Sequence, residues 1–595
     1  MSLALGKVQK VHTDVIVIGS GLAGCRAAIE AERVGVDVTL IDKSIIGYNS
    51  SSRMAGGHIK AAAATPRPFT SSTPASPEQH FKDKILIGEF LGDQELTEIM
   101  CYEGPARKQE LKDFGVPRLI GVDEGPDKLF SFPLGMSYMS SLVDTIGKMG
   151  INVCKRMFPI DLLLDKGIVV GVYCLDLDNG NIVVYVAKAV VLACGGVAEA
   201  YKRNDTPVTL TGDGYAMGYR AGADMVNMEM IHWEPFVHAE PDLPMMDRRE
   251  AIAAWYGELR NKNGEEFLPN YFRRVGSSKD PFHLEYGAYN PDVRHLVSRA
   301  MGLEVYEGRG DKGAVFFDLS IVPEEKWTAD GPSGYLKHVL CRGYDLSKEW
   351  IHVMPGVVAT LGGLVINEKC ETTLPGLYAA GEVSGNVHGA SRLGGDALSD
   401  ANVFGARAGG SAARHALRTQ KHEYDEAQVH RDGLQKILDR DPSTGTQPYK
   451  VRDQIKEIMY DSVGIIRTGE SIELAMNQLE QLESNEATRI YADDWPSLRM
   501  AVEVDNMFLV CKMITKSALM RTESRGVSFR YDYPFRDDVN WLKTIHIRLD
   551  SSGKMAFSTE PVKNPRYDPT NIPYDTPISK AWQGVQEKMA LKFKR

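Results

Sequence analysis

The sequence predicts an α/β fold built on a Rossmann-like βαβ unit, and three features near the N-terminus support this. The apolar run Val15–Ile18 suits a buried parallel strand. Glycines at positions 19, 21 and 24 follow it with the spacing G-x-G-x-x-G, directly before an alanine-rich helical pattern. A second strand-like run then ends at Asp42. Strand, glycine turn, helix and strand in this order predict a dinucleotide-binding site.

Each residue of this unit has its own expected role. Gly19 permits the tight turn, Gly21 lets a pyrophosphate approach the helix N-terminus, and Gly24 lets the helix pack closely against the strand. Asp42 is placed to accept hydrogen bonds from a ribose hydroxyl, and Lys43 follows it directly. We therefore assign these five residues to the nucleotide site.

Three further glycine-rich segments follow strand-like runs, and they favour FAD as the dinucleotide. A nicotinamide cofactor needs little beyond one βαβ unit, whereas several returning segments suit the longer FAD. The segments are Ala187–Tyr201, Thr209–Asp224 and Thr372–Gly410. Their predicted cofactor-binding residues are Ala193, Gly195, Asp213, Gly381, Glu382, Ala397 and Leu398. The helix that begins near Ala397 would turn its positive end toward the isoalloxazine pyrimidine, where it stabilises the anionic reduced flavin.

Composition limits the other partners. The chain has 595 residues, of which 43% are hydrophobic, so it can bury a large core and divide into several domains. Its formal net charge of −10, without a basic run, argues against nucleic acid and anionic membranes. The eight cysteines include no Cys-x-x-Cys pair, which predicts no metal or iron–sulfur site in this chain and a reducing, cytoplasmic location. No run has the length of a secretory signal or a membrane span, so we expect no direct membrane insertion.

Ordered phrases along most of the chain match one known family. They include "GSGLAG", "RMAGGHIKAA", "LTGDGYAMGYRAGADMVNMEM", "PGLYAAGEVSGNVHGASRLGGDAL" and "ESRGVSFRYDYPFRDDVNWLK". On these phrases the chain resembles the succinate dehydrogenase/fumarate reductase flavoprotein superfamily, which includes L-aspartate oxidase and soluble fumarate reductases. The resemblance implies a Rossmann-like FAD-binding domain in two segments (1–227 and 346–415), an inserted α+β capping domain (228–345), a helical domain (416–520) and a C-terminal region (521–595).

Covalent attachment of the flavin, known in membrane-bound relatives, is not expected here. In those relatives the bonding histidine stands seven residues before the second glycine of a Gly-Gly pair, and Ser50 occupies that position. The resemblance therefore implies noncovalent FAD. Small residues that follow are predicted to wrap the flavin with hydroxyl and backbone hydrogen bonds; they are Ser51, Ser52, Ala55, Gly56 and Gly57.

Two arginines match the reactive positions of the family. Arg299 corresponds to the arginine that shuttles a proton in fumarate reductases. Arg392 corresponds to the arginine that holds a substrate carboxylate, a task for which the planar guanidinium fork is suited. The resemblance thus implies a proton donor and an anion anchor.

The departures from the family concern the substrate. Glu234 stands where one substrate-binding histidine is expected, and Val358 stands where the other is. The Thr-Glu pair of the capping domain corresponds approximately to Arg249 and Glu250, which we count among the predicted catalytic residues with Glu234. Losing donors from a desolvated anion site weakens binding strongly. We therefore expect a small-molecule substrate other than succinate or fumarate.

Three functional hypotheses follow. The first is an oxidoreductase that moves hydride across a carbon–carbon bond next to a carbonyl or carboxylate and exchanges electrons with an iron–sulfur partner subunit in a hetero-oligomer. The second is a flavin-bearing electron-transfer subunit without its own substrate turnover. The third is an enzyme similar to the alpha chain of adenylylsulfate reductase. The presence of both Arg299 and Arg392 favours the first.

Overall fold

The computed structural model describes residues 3–55, 59–62, 76–116, 134–243, 257–272, 294–321, 342–420, 423–563 and 565–573. The predicted site residues Gly56, Gly57, Arg249 and Glu250 lie outside these ranges. Within the ranges, no helix combines the length and the hydropathy needed to span a membrane.

The strands of the described residues fall into five sheets. In chain order they are β1 (Val8–His12), β2 (Val15–Ile18), β3 (Val38–Ile41), β4 (Asn152–Cys154), β5 (Met157–Asp165), β6 (Ile168–Asp176), β7 (Ile182–Val186), β8 (Ala189–Leu192), β9 (Met225–Val226), β10 (Ile231–His238), β11 (Glu258–Arg260), β12 (Val315–Asp318), β13 (Ile351–Thr360), β14 (Gly363–Leu364), β15 (Leu377–Ala379), β16 (Ile466–Arg467), β17 (Phe529–Arg530), β18 (Lys543–Leu549) and β19 (Met555–Pro561).

The helices occur along the whole chain, and the longest lie in its second half. In chain order they are α1 (Leu22–Val34), α2 (Ser51–Met54), α3 (Pro77–Ile87), α4 (Gln94–Asp113), α5 (Leu134–Met149), α6 (Asp213–Ala221), α7 (Leu268–Phe272), α8 (Arg294–Tyr306), α9 (Asp396–Ala416), α10 (Arg431–Leu438), α11 (Pro448–Ser462), α12 (Gly469–Glu486), α13 (Trp495–Met520) and α14 (Asp538–Trp541). Short 3₁₀ turns span Ala198–Ala200, Gly381–Val383 and Glu426–Gln428.

A parallel five-stranded sheet forms the centre of the molecule, with the order β15-β8-β2-β3-β4. Strands β2, β3, β8 and β15 are buried along their whole length, as expected for apolar runs covered on both faces. This arrangement confirms the predicted α/β class. A second sheet, β1-β7-β6-β5, is antiparallel except for the parallel pairing of β1 with β7.

Glycines bring helices α1 and α9 of the central layer into close contact. A Cβ atom at Gly405 of α9 would lie 2.5 Å from the carbonyl oxygen of Ala23 in α1. At Gly409 the corresponding distance to the carbonyl oxygen of Ala27 would be 2.1 Å. Both distances are too short for a side chain, so these glycines let α9 lie directly on α1.

A four-stranded antiparallel sheet, β10-β13-β12-β11, forms the core of the region predicted to cap the flavin. All eight residues of β10 are buried. Helix α8 packs against β10, and the Ser298 hydroxyl donates to the carbonyl oxygen of Trp233 at 3.2 Å. Strand β13 lies beyond the predicted capping-domain limit at residue 345 but pairs within this sheet; the domain limits themselves stay predictions.

Helices α11, α12 and α13 follow one another, and the last two have well-defined starts. The N-cap residues Thr468 and Asp494 each form a capping box with the serine three positions on. The antiparallel sheet β14-β9-β18-β19 then joins the C-terminal region to the segment after α6. The C-terminal residues are thereby returned to the centre of the molecule.

Candidate cofactor and active site

The glycine turn, residues 19–24, is shaped by backbone contacts. Gly19 has φ of +100°, and a Cβ there would lie 2.4 Å from the Ala193 carbonyl oxygen. A Cβ at Gly24 would lie 1.8 Å from the Gly19 carbonyl oxygen. At Gly21, in contrast, the nearest protein atom to a Cβ would be Ser52 Oγ at 3.5 Å. Protein packing thus excludes side chains at Gly19 and Gly24, while Gly21 leaves open the space that a pyrophosphate would need.

The serine-rich segment lies against this turn. Ser52 Oγ accepts a hydrogen bond from the Leu22 amide at 3.1 Å, at the start of α1. Ser50 caps α2, since its Oγ accepts from the Arg53 amide at 3.2 Å. Ser51 Oγ is shielded from solvent and has no hydrogen-bond partner within the described residues. A buried hydroxyl beside the turn is what a bound cofactor would satisfy.

Asp42 is held by two serines that sequence reasoning did not single out. Its Oδ2 accepts from the amide and hydroxyl of Ser20 at 2.9 and 2.6 Å, and its Oδ1 accepts from the amide and hydroxyl of Ser44 at 2.7 and 2.8 Å. A carboxylate has about four acceptor sites, so a ribose hydroxyl would have to share one of them. The positions of the two serines, beside the turn and beside Asp42, were the available signal.

Lys43 and Asp213 meet in a buried ion cluster that reaches the helical region. Lys43 Nζ donates to Asp213 Oδ2 and to Glu503 Oε1, both at 2.6 Å. Asn506 Nδ2 donates to Asp213 Oδ1 at 2.8 Å. Burial alone would lower the pKa of Lys43, but Asp213 and Glu503 outweigh it and raise the pKa. These two predicted cofactor residues are therefore directed at each other, and their contact with FAD stays a prediction.

Glu382 joins two of the predicted glycine segments. Its Oε1 accepts a hydrogen bond from the Thr360 amide at 2.9 Å. A Cβ at Gly196 would lie 2.0 Å from that same oxygen, and one at Gly381 would lie 3.0 Å from Ala23 Cβ. Burial raises the pKa of Glu382 to about 7. The segments of Gly195 and Gly381 thus close around one carboxyl group beside α1.

A buried polar network lies at the N-terminus of α9. Asp396 Oδ1 lies 2.9 Å from His80 Nε2, and Asp396 Oδ2 accepts from Lys84 Nζ at 3.4 Å. Lys84 also donates to His388 Nδ1 at 2.5 Å, and His388 Nε2 lies 3.1 Å from Asp400 Oδ2. Burial lowers the pKa of His388 to about 4. Sequence reasoning missed this network, because its members are up to 316 residues apart.

The helix start itself matches the predicted flavin contact. Gly395 precedes α9 with φ of +84°, and the Ala397 side chain is exposed while Leu398 is buried. An exposed first turn presents free backbone amides and the positive end of a 21-residue helix. This end of α9 can therefore receive a negatively charged ring edge.

The two predicted reactive arginines lie on segments that meet at Gly526; we call this set of segments the arginine junction. Arg299, 4% exposed on α8, donates from Nη2 to the Gly526 carbonyl oxygen and lies over the Phe529 ring at 5.3 Å. Arg392 is 6% exposed. A Cβ at Gly526 would lie 1.9 Å from the carbonyl oxygen of Ala390, two residues before Arg392. The structure therefore brings the segments of Arg299 and Arg392 together.

The residues that replace the family's histidines lie on adjacent strands. Glu234 is 5% exposed on β10 and pairs with Gly356 of β13. His232 pairs with Ala359 and Trp233 with Val357, which leaves Val358 as the extra residue of a β-bulge. Glu234 and Val358 therefore stay close to each other.

The aromatic residues of β10 belong to the core. Trp233 packs against the rings of Tyr201 and Tyr460, with centroid distances of 5.4 and 5.8 Å. Phe236 packs against Phe317 at 5.2 Å. Among the described residues, no group of histidine, cysteine, aspartate or glutamate side chains could hold a metal ion.

Comparison with known families agrees with this geometry. A family model described as an FAD binding domain matches residues 14–398, and a model described as the fumarate reductase flavoprotein C-terminus matches residues 452–574. The first match confirms the predicted cofactor. Two proteins are each 32% identical to the chain: an uncharacterized FAD-dependent oxidoreductase of Methanocaldococcus jannaschii, and a subunit of the fumarate reductase (CoM/CoB) of Methanothermobacter marburgensis. Each alignment covers 88% of this chain and 94% of the relative.

Solved structures show the same fold over nearly the whole chain. The Escherichia coli quinol fumarate reductase FrdA superposes with a TM-score of 0.81 at 27% identity, covering 94% of this chain and 98% of the other. Adenylylsulfate reductase from Archaeoglobus fulgidus gives a TM-score of 0.75 at 19% identity, covering 95% and 99%. The second likeness concerns the fold alone.

Proposed function

The chain belongs to the fumarate reductase/succinate dehydrogenase flavoprotein family of FAD-dependent oxidoreductases, and we propose that it moves hydride across a carbon–carbon bond next to a carbonyl or carboxylate. We propose further that its substrate is not succinate or fumarate, and that it exchanges electrons with a separate iron–sulfur protein. The observation that carries the substrate proposal is the pair Glu234 and Val358 at the two histidine positions.

The residues present fit noncovalent FAD. The open space at Gly21, the unpartnered Ser51 hydroxyl and the exposed start of α9 would receive the pyrophosphate and the ring system. When bound, FAD supplies the hydride acceptor or donor. Ser50 serves as the cap of α2, and its hydroxyl is not the imidazole that forms the covalent bond in relatives. Acid precipitation should release the chromophore; colour that stays with the denatured protein would contradict this.

Arg392 would hold the substrate carboxylate and Arg299 would move the proton. Burial lowers the pKa of Arg299, with Glu89 acting in the opposite direction. A desolvated guanidinium is a better proton donor than one in water. Arg299 Nε is buried and has no hydrogen-bond partner within the described residues, so the group retains N–H capacity for a substrate.

The pocket would discriminate against a second carboxylate. Glu234 is nearly buried, and an ionised glutamate there would repel a diacid, while Val358 offers no donor. A monocarboxylate or thioester with an adjacent double bond needs only one anchor, which Arg392 supplies. Fumarate reduction is the competing assignment, because a 32% identical relative carries that name.

The partner and location are inferred from the thiols and the relatives. The cysteines of the described residues are free, as expected in a reducing compartment. One 32% identical relative is named as one subunit of a larger enzyme, and reduced flavin in such an enzyme passes its electrons to a separate carrier. We therefore include a cytoplasmic location and a hetero-oligomeric assembly in the proposal.

The test is reoxidation of the anaerobically reduced holoprotein in a stopped-flow instrument. The oxidants are crotonate, a crotonyl thioester, a soluble quinone, adenylylsulfate and fumarate. We expect crotonate or its thioester to reoxidise the flavin fastest. Fumarate as the fastest oxidant would contradict the substrate assignment, and no reaction with any organic oxidant would favour the electron-transfer hypothesis.

A further inference from the structure

Glu89 is a buried acid for which the proposed function has no role. It lies two residues after α3 and is 1% exposed. Its φ is +50°, and that of Phe90 is +62°. Two successive non-glycine residues in the left-handed region are unfavourable, and such backbone persists only where its surroundings impose it. Strain of this kind is common at functional sites.

The surroundings that hold Glu89 are parts of the arginine junction. The Gly88 carbonyl oxygen accepts from the Ala390 amide at 2.9 Å, two residues before Arg392. The Glu89 carbonyl oxygen accepts from Arg525 Nη1 at 2.7 Å. Glu89 is therefore fixed between the loop that carries Arg392 and the Arg525–Gly526 segment that Arg299 contacts.

The side chain of Glu89 is isolated from ordinary partners. Neither of its carboxyl oxygens makes a hydrogen bond of normal geometry with the described residues. Burial raises the pKa of Glu89, while Arg536, Arg525, Arg299 and the Gly526 amide act in the opposite direction. Within the described part of the chain, these three arginines are the charged groups that face it. A carboxyl group in such a place can hold a proton near neutral pH.

Two of the three arginines are already neutralised. Arg525 binds Glu523 at 2.6 and 2.9 Å and Asp538 at 2.9 Å. Arg536 Nη2 lies 2.9 Å from the other oxygen of Asp538. Arg299 forms no ion pair within 4.0 Å among the described residues, and Glu89 is the carboxylate that acts on its pKa. Glu89 and Arg299 are thus a buried acid and a buried base whose charges are answered mainly by each other.

We propose that Glu89 is the proton-relay partner of Arg299, an inference that rests on the proposed function. When Arg299 has given a proton to the substrate carbon, its neutral guanidine takes one from the Glu89 carboxyl group. An N–H bond forms at Arg299 as the O–H bond at Glu89 breaks. The reverse transfer applies when the substrate is oxidised.

The resulting carboxylate regains its proton from water on the side of Arg536 and Asp538. These two side chains are 19% and 29% exposed, whereas Glu89 and Arg299 are nearly inaccessible. The relay therefore links the buried guanidinium to solvent without opening the site. This route does not use the capping-domain pair Arg249 and Glu250.

The first test needs no substrate. Infrared difference spectroscopy of the holoprotein during a pH titration should show the carbonyl band of a protonated buried acid, with a midpoint above that of ordinary glutamate. The band should vanish in Glu89→Gln. It should remain in the control Glu229→Gln, which neutralises another buried carboxyl, one paired with Arg521 at 2.8 Å. Arg299→Met should raise the midpoint, because it removes a cation that favours the charged form.

A band that is absent from the wild type, or that survives in Glu89→Gln, would overturn the proposal. So would a midpoint that does not respond to Arg299→Met. Because this arm needs neither turnover nor a known substrate, it decides the relay even if the proposed reaction is wrong.

The second test measures proton delivery. With crotonate as the probe, Glu89→Gln should slow reoxidation by about 100-fold and increase the solvent deuterium isotope effect, with bound FAD unchanged. Glu89→Asp should restore part of the rate. Full activity in Glu89→Gln together with loss of activity in Glu250→Gln would overturn the relay. Failure of the wild type to reduce crotonate would count against the proposed function instead.

Discussion

The glycine turn and the arginine junction are built in opposite ways. In the turn, residues adjacent in sequence are fixed by their own backbone: Gly24 packs on the carbonyl of Gly19. In the junction, residues from distant segments meet, and Arg299 reaches a carbonyl group 227 residues away. The turn contains almost no side chains, whereas the junction is made of buried charges.

This difference separates what binds the cofactor from what chooses the reaction. A glycine turn at a helix N-terminus recognises a phosphate group through backbone amides, and the same turn serves many enzymes. Buried charges have shifted proton affinities and can act on a substrate. We therefore expect substitutions in the turn to affect FAD content and substitutions in the junction to affect turnover.

The largest effect is expected within the turn, where Gly21 and Gly24 form a matched pair. Gly21→Val should fold but lose FAD, because its side chain enters space that the protein leaves open. Gly24→Val should fail to fold or lose more than about 3 kcal/mol, because its Cβ would meet the Gly19 carbonyl oxygen at 1.8 Å. FAD per chain and thermal unfolding of the apoproteins measure both. Stoichiometric FAD in Gly21→Val would show that the turn does not hold the pyrophosphate.

The next largest effect concerns the two arginines of the junction. Arg299→Lys keeps the charge but changes the reach and geometry of the donor, so crotonate reduction should fall by about 100- to 1,000-fold with normal FAD content. Arg392→Ala should also raise the crotonate concentration needed for half-maximal rate, since it removes an anchor used throughout the reaction. Normal turnover in Arg299→Lys would exclude the proton role.

Sequence reasoning succeeded where function depends on neighbours in the chain. The parallel sheet, the FAD-binding class and the tight turn at Gly19 followed from local patterns, because G-x-G-x-x-G constrains its own backbone. Arg299 and Arg392 were selected by resemblance, and the structure places their segments in contact. Their roles stay predictions.

The rest depends on contacts between distant segments. Asp42 is held by Ser20 and Ser44, and Lys43 is bound to Asp213 and Glu503, which no spacing rule predicts. Nothing in the sequence marked Glu89, because a single glutamate at the end of a helix is ordinary until its burial and its φ are known. Side chains whose partners are hundreds of residues away require the fold.

A smaller effect is expected at Glu382, on the cofactor side of the comparison. Its pKa is raised by burial from 4.5 to about 7, so the protonated form is favoured in the folded apoprotein. The stabilisation is present below pH 4.5 and is lost as pH rises through 7. Since the side chain is only partly shielded, we expect the wild type to lose about 1 to 3 kcal/mol between pH 5 and 8 relative to Glu382→Gln. Denaturant unfolding at both pH values checks this; a pH-independent difference would contradict it.

The substrate assignment is tested most directly by the ratio of fumarate to crotonate reoxidation rates. The comparison is between the wild type and the double variant Glu234→His/Val358→His, which places imidazoles at both replaced positions. We predict that the wild type prefers crotonate and that the double variant shifts the ratio toward fumarate by about 10- to 100-fold, since each restored donor contributes about 1 kcal/mol or more. A wild type that already prefers fumarate, with a ratio unchanged in the double variant, would contradict the account.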